Sequence, residues 1–142
     1  MKLNFIRFMV LAVVALILGS AAFAQTVSLR AVVPFNFVVG DRAFPAGEYA
    51  VNTSGNGNYL LFLAGRSTKE SVLTLSYTVT SGMPAERSAL IFERVGDAYF
   101  LQQVWAAGSP VGLGLHRSHL ETQLALNKTK PETTIVAASI LH

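Results

Sequence analysis

From Val27 to Val39 the apolar residues Val27, Leu29, Ala31, Val33, Phe35, Phe37 and Val39 stand at odd positions, while Ser28, Arg30, Pro34 and Asn36 fill even ones. Successive side chains on a pleated strand point to opposite faces, so this run predicts a strand with one buried face. Pro34 has no N–H to give a ladder, and it predicts two segments joined by a kink. Gly40-Asp41-Arg42 then reverses the chain, Pro45-Ala46-Gly47 turns it again, and Glu48 to Thr53 alternates with Tyr49 and Val51 on one face. The segment Ser54-Gly55-Asn56-Gly57-Asn58 is rich in residues that tolerate positive φ and predicts a hairpin into a strand from Tyr59 to Ala64.

A second long alternation sets Leu73, Leu75, Tyr77 and Val79 against Thr74, Ser76, Thr78 and Thr80, and Gly82-Met83-Pro84 ends it. It predicts another strand sorted into a dry and a wet face. Ala89 to Glu93 and Tyr99 to Trp105 are two more strands, joined by Arg94-Val95-Gly96-Asp97. The two Val-Gly-Asp turns read as hairpins of similar chemistry, since the flanking residues show no repeat. The run Gly108-Ser109-Pro110-Val111-Gly112-Leu113-Gly114 reads as a loop. Ser118-His119-Leu120-Glu121 has the form of a capping box and predicts a short helix from His119 to Asn127, with Leu120 and Leu124 on one face. Lys128 and Lys130 suit the negative end of that helix, and Pro131 stops it. Thr133 to Ile140 is β-branched enough for a final strand. Short strands at regular spacing predict a mainly β fold: a single antiparallel β-sandwich or small β-barrel with one short C-terminal helix and a final strand.

The first 24 residues stand apart from this pattern. Lys2 and Arg7 precede the apolar stretch Phe8 to Leu18, and Ala22-Phe23-Ala24 follows a Gly-Ser break, which predicts a signal peptide over 1–24 and a domain over 25–142. The apolar stretch is about half of the roughly 20 residues that a spanning helix needs, so no membrane span is expected after cleavage. The expected location is periplasmic or extracellular. Without Lys2 and Arg7, the chain's 11 basic residues fall to nine against eight acidic ones, and they are scattered singly. No basic stripe follows a phosphate backbone, so nucleic acid is not an expected partner. The chain has no cysteine, hence no disulfide framework and no thiol nucleophile, and apolar burial must supply the stability.

Candidate chemistry is sparse. His116, His119 and Glu121 offer imidazole and carboxylate donors within six residues, although His116 precedes the helix cap and cannot share a helix face with the others. Asp41 and Asp97 fall in turns, where carboxylates accept backbone hydrogen bonds. Glu48 and Glu93 fall on strand faces opposite the apolar set and are expected to be solvated. No serine lies in a Gly-x-Ser-x-Gly context, and the glycines from 108 to 114 have no following lysine to hold a phosphate. Tyr99 and Trp105 could line a pocket or a sugar-binding surface, but their period-two spacing with Leu101 makes them core residues first.

The order of the motifs Val-Pro-Phe-x-Phe from Val33, Pro-Ala-Gly-x-Tyr from Pro45 and Gly-Asp-x-Tyr-Phe-Leu from Gly96 resembles an uncharacterised family of small exported β-rich bacterial proteins. The resemblance covers nearly the whole of 25–142. It implies export and a β domain, and it brings no activity, cofactor or catalytic residue. The stretch from Gly108 to His119 departs from the pattern in being less polar.

These observations lead to an expectation of a non-enzymatic exported domain that binds a partner protein or an apolar small molecule, in a barrel interior as lipocalin-like folds do, or that serves the cell envelope structurally. No catalytic residue, metal ligand or cofactor is assigned. The competing class is a small metal-dependent hydrolase using His116, His119 and Glu121. A small outer-membrane barrel is a third class, and it would require apolar bands and aromatic girdles around the whole wall.

Overall fold

The computed structural model describes residues 27–54, 60–127 and 130–141, so the proposed signal peptide, most of the Ser54 to Asn58 turn, Lys128 and His142 lie outside the described residues. Ten strands and one helix follow in order: β1 (Val27–Val33), β2 (Phe37–Val39), β3 (Arg42–Phe44), β4 (Gly47–Ser54), β5 (Leu60–Gly65), β6 (Ser71–Thr80), β7 (Ala89–Val95), β8 (Ala98–Trp105), β9 (Val111–Leu115), α1 (His119–Leu126) and β10 (Glu132–Ile140). Strands β8, β7, β10, β1, β4, β5, β6 and β9 pair in that order, and β9 returns to pair with β8. The result is a closed eight-stranded antiparallel barrel. Of the two architectures expected, the barrel is the one formed. The final strand sits between β1 and β7, antiparallel to both.

Pro34 breaks the first alternation as expected. β1 stays in the barrel wall, and after the break β2 leaves it to meet β8 in a parallel bridge, Val38 opposite Phe100. β8 thus serves two partners in succession, β2 beside Phe100 and β9 at Gln103 and Val104. The β2–β3 hairpin turns through Gly40 and Asp41, with Gly40 at φ 61°, and the β7–β8 hairpin turns through Gly96 and Asp97, with Gly96 at φ 64°. That left-handed conformation is what a two-residue hairpin requires and what glycine adopts without a Cβ clash.

The inward residues meet in one cluster. Leu29, Ala31 and Val33 of β1, Tyr49 and Val51 of β4, Leu61 and Leu63 of β5, Leu90 and Phe92 of β7, Leu101 and Val104 of β8, Leu115 of β9 and Val136 of β10 are all buried. The β2–β3 hairpin adds Phe37, Val39 and Phe44 to the same cluster. Phe37 stands at its centre, stacked on Phe44 at 5.5 Å and edge-on to Tyr49 and Phe92 at 5.0 and 5.4 Å. Such edge and offset contacts suit the ring quadrupoles and add to the burial of large apolar area. The Tyr49 hydroxyl donates to the Pro45 carbonyl, which satisfies a polar tip in an otherwise dry place.

Two readings of the sequence are corrected. Leu73, Leu75 and Tyr77 face outward and are exposed, while Ser76 is buried. The register explains it: Leu61, an inward residue, lies opposite Thr74, and outward Phe62 lies opposite Leu73. The second correction concerns the glycine-rich run, which contains the closing strand β9 instead of a connection. Glycine weakens a strand because it leaves a gap beside its neighbours, and here aromatic rings fill the gaps. A Cβ at Gly112 would lie 2.6 Å from the Trp105 ring, and one at Gly114 would lie 2.5 Å from the Tyr77 ring. The rings cover the bare backbone of β9 at these two positions.

This arrangement predicts that Gly112→Ala lowers stability by about 1–3 kcal/mol through overpacking. Gly114→Ala should cost less, since Tyr77 is 43 % exposed and can swing into water, whereas Trp105 is 9 % exposed. Urea unfolding of the two variants checks the order.

Candidate functional site

The described residues form two adjoining clefts on the outer wall of β7, β8 and β10. The larger, about 640 Å³, is lined by Tyr77, Ile91, Glu93, Gln102, Gln103, His116, Arg117 and Thr133 together with parts of Phe92 and Leu115. The smaller, about 320 Å³, is lined by Met83, Pro84, Ala89, Ile91, Trp105 and Ile135 with Ser81, Ala85 and Arg87. Ile91 belongs to both. The first is rich in polar groups, and the second is almost wholly apolar.

A β-bulge builds the polar cleft. Ile91 pairs with Gln103, but Phe92 pairs with Leu101, so Gln102 is an extra residue on β8. Leu101 and Val104 both point into the core, and the two glutamines between them share the outer face. A bulge can re-aim a side chain in this way because it breaks the two-residue alternation. Each glutamine is then held by a second partner. The Trp105 indole N–H donates to Gln103 Oε1 at 2.9 Å, and Gln102 Nε2 donates to the Glu121 carboxylate.

The capping box exists, with a consequence the sequence did not show. Glu121 N donates to Ser118 Oγ at 3.1 Å, the cap bond that starts the helix. Leu120 and Leu124 lie one turn apart on α1 as expected, but Leu120 is 45 % exposed, and the buried residue of α1 is Glu121, at 2 %. Burial pushes the Glu121 carboxyl above its usual range and the nearby Glu93 adds to the effect, while Arg117, Ser118 and Gln102 oppose it. Arg117 lies between the two acids, at 3.4 Å from Glu93 and 3.8 Å from Glu121.

The carboxylates expected to be solvated are both ion-paired. The side chain of Glu93 is 17 % exposed and faces Arg117. Glu48, 26 % exposed, lies between Arg30 and Arg66, and its carboxyl is held below the usual range by Arg30 first of all. Asp41 and Asp97 occupy their hairpin turns as expected, and Asp97 meets Arg94 loosely at 3.9 Å. The Arg30–Glu48–Arg66 group places charge beside β1 and β4, in contrast to the bare Phe62, Leu73 and Leu75 on β5 and β6.

Of the three residues singled out as donors, His116 stands in the polar cleft with its ring 5.1 Å from that of Tyr77, His119 is exposed at the helix start, and Glu121 is buried in the capping box. Among the described residues no group of three or more His, Cys, Asp or Glu side chains could hold a metal ion. Trp105 does line a cleft, from the outer wall, and Tyr99 stacks on Phe35 at 3.9 Å. Gln102 and Gln103 escaped the sequence reading. The signal for them was the lost alternation between Leu101 and Val104, where apolar residues move from odd to even positions.

No family model matches the chain, and no curated protein and no solved structure matches it.

The two perturbed acids give stability slopes of opposite sign. Glu121 binds its proton more tightly in the folded state, so its contribution is most favourable below the ordinary value of 4.5 and is lost as pH rises through its raised folded value. Glu48 contributes above 4.5, and that contribution is lost as pH falls through its lowered folded value. Urea unfolding between pH 4 and 8 should show Glu121→Gln gaining on the wild type as pH rises.

Proposed function

We propose that this chain is a non-catalytic binding domain of the exported class, and that it takes its ligand on the outer wall over β7, β8 and β10. The observation that carries this reading is the bulge at Gln102, which sets two oriented amides side by side in a concave surface that continues past Ile91 into an apolar cleft. Concave, mostly apolar surfaces with a few fixed polar groups are the usual form of a ligand site. The residues that would hold the ligand are Gln102, Gln103, Ile91 and Trp105, with Tyr77 and Thr133 at the rim.

This reading sets the ligand outside the barrel instead of in a lipocalin-like interior, and the clustered, buried inward side chains named above support it. Export rests on the charge, apolar stretch and Ala-Phe-Ala pattern of residues 1–24, and the motif order supports kinship with the small exported proteins it resembles. The role is binding, with no acid–base pair assigned: Glu121 is engaged by Ser118 and Gln102, and Glu93 by Arg117.

Trp105 is the chain's one tryptophan and lines the apolar cleft, so its fluorescence reports on that place alone. Titration with N-phenyl-1-naphthylamine, an apolar dye that brightens out of water, should quench Trp105 emission in step with the dye's gain. Ile91→Arg, which puts a charge on the shared wall, should weaken the dye about tenfold or more, a loss of one decade in dissociation constant. Equal binding by wild type and variant would remove the outer wall from consideration.

A further inference from the structure

The two glutamines present complementary groups to the cleft. Gln103 Oε1 already accepts from the Trp105 indole, which leaves its NH₂ as the group offered to a ligand. Gln102 Nε2 already gives one N–H to Glu121, which leaves its carbonyl oxygen as an acceptor beside its second N–H. Neither remaining group has a protein partner among the described residues, and the two come from consecutive positions on one face of β8. A side-chain amide whose other end is engaged cannot flip without breaking that bond, so the donor and the acceptor are fixed in identity as well as place.

In the polar cleft the arginine is matched by acids. Arg117 faces Glu93 and Glu121, while Arg87 stands at the apolar cleft. What the polar cleft does offer is the neutral amide donors of Gln103 beside the neutral acceptor of Gln102, next to an apolar recess lined by Ile91, Trp105, Ile135 and Met83. An amino-acid residue in extended conformation carries this pattern in reverse. Its own N–H and C=O point to the same side, as they do when two residues of an antiparallel pair exchange both bonds. Peptide recognition of that kind takes affinity from main-chain bonds and selectivity from a side-chain pocket.

We propose that the outer-wall cleft binds an extended peptide residue bearing an apolar side chain. Gln102 Oε1 accepts the backbone N–H of that residue, the Gln103 amide donates to its C=O, and its side chain crosses Ile91 to lie against Trp105. The proposal rests on the outer-wall site and assigns the ligand class to it. A pyranose with neighbouring hydroxyls offers a donor and an acceptor too, but it brings no aliphatic side chain for the recess. It is the alternative that the test must separate.

The experiment is an NMR titration of the ¹⁵N-labelled protein, following the side-chain amides of Gln102 and Gln103 and the Trp105 indole. The probes are N-acetyl-leucine N′-methylamide, its analogue with an ester oxygen in place of the leucine N–H, and N-acetylglucosamine. The peptide probe should shift all three signals, and the ester should bind about fivefold more weakly, the size of one net neutral hydrogen bond. Gln103→Glu keeps the acceptor for the indole and removes the donor, so it should weaken the peptide probe about fivefold as well. Equal binding of amide and ester, no binding of the peptide, or tighter binding of the sugar at the same signals would each overturn the peptide assignment. If the naphthylamine dye still binds and still responds to Ile91→Arg, only the ligand class has failed. If the dye does not bind either, the outer-wall site has failed with it.

Discussion

The pairing of β9 with β6 on one side and β8 on the other is the constraint on which the rest of the molecule depends. Without it the sheet would end in two open edges, each a row of unsatisfied amides and carbonyls. The strand that closes it is short and carries glycine at 112 and 114, residues that weaken a strand when left bare. Tyr77 and Trp105 supply from either side the bulk that β9 lacks, with one ring across each glycine. The same contacts fix both aromatic rings on the outer wall, and so the closure of the barrel also furnishes the surface beside the clefts.

β8 carries the second half of this economy. Its first part runs beside β2 and its last part beside β9, and its pairing with β7 slips by one residue between the two. The slip is the bulge that brings Gln102 to the face of Gln103. Gln102 then reaches Glu121, a buried carboxyl that the capping box holds at the start of α1. A barrel strand, a bulge and a helix cap are thereby linked through two hydrogen bonds. The helix owes its place to this polar anchor and to Arg117 on Glu93 more than to its leucines, two of which are largely exposed.

The outer wall is divided in character. Arg30, Glu48 and Arg66 form an ionic group beside β1 and β4, while Phe62, Leu73 and Leu75 stand bare on β5 and β6. The ionic group interrupts the apolar surface on that side of the wall. Tyr77 of β6 lines the polar cleft, which joins the clefts to the bare side of the wall. Polarity around this barrel is thus set strand by strand, and β6 turns Leu73, Leu75 and Tyr77 away from the core.

What the amino-acid sequence determined by itself is the succession of elements apart from β9. Local chemistry was enough for that: alternation marked the strands, Pro34 the break between β1 and β2, the Gly-Asp pairs two hairpins, and Ser118 with Glu121 the helix start. Each of these signals acts between near neighbours, where the backbone's own preferences decide the outcome. What the tertiary structure alone decided is which face of each strand is inward, because a period-two pattern fixes two faces without saying which one meets the core. On β6 the register against β5 chose the polar face. It likewise decided that a glycine-rich run would be a strand, since the rings covering it come from residues 77 and 105, and that two consecutive glutamines would share a cleft. Those outcomes depend on partners distant along the chain, and no window of neighbouring residues contains them.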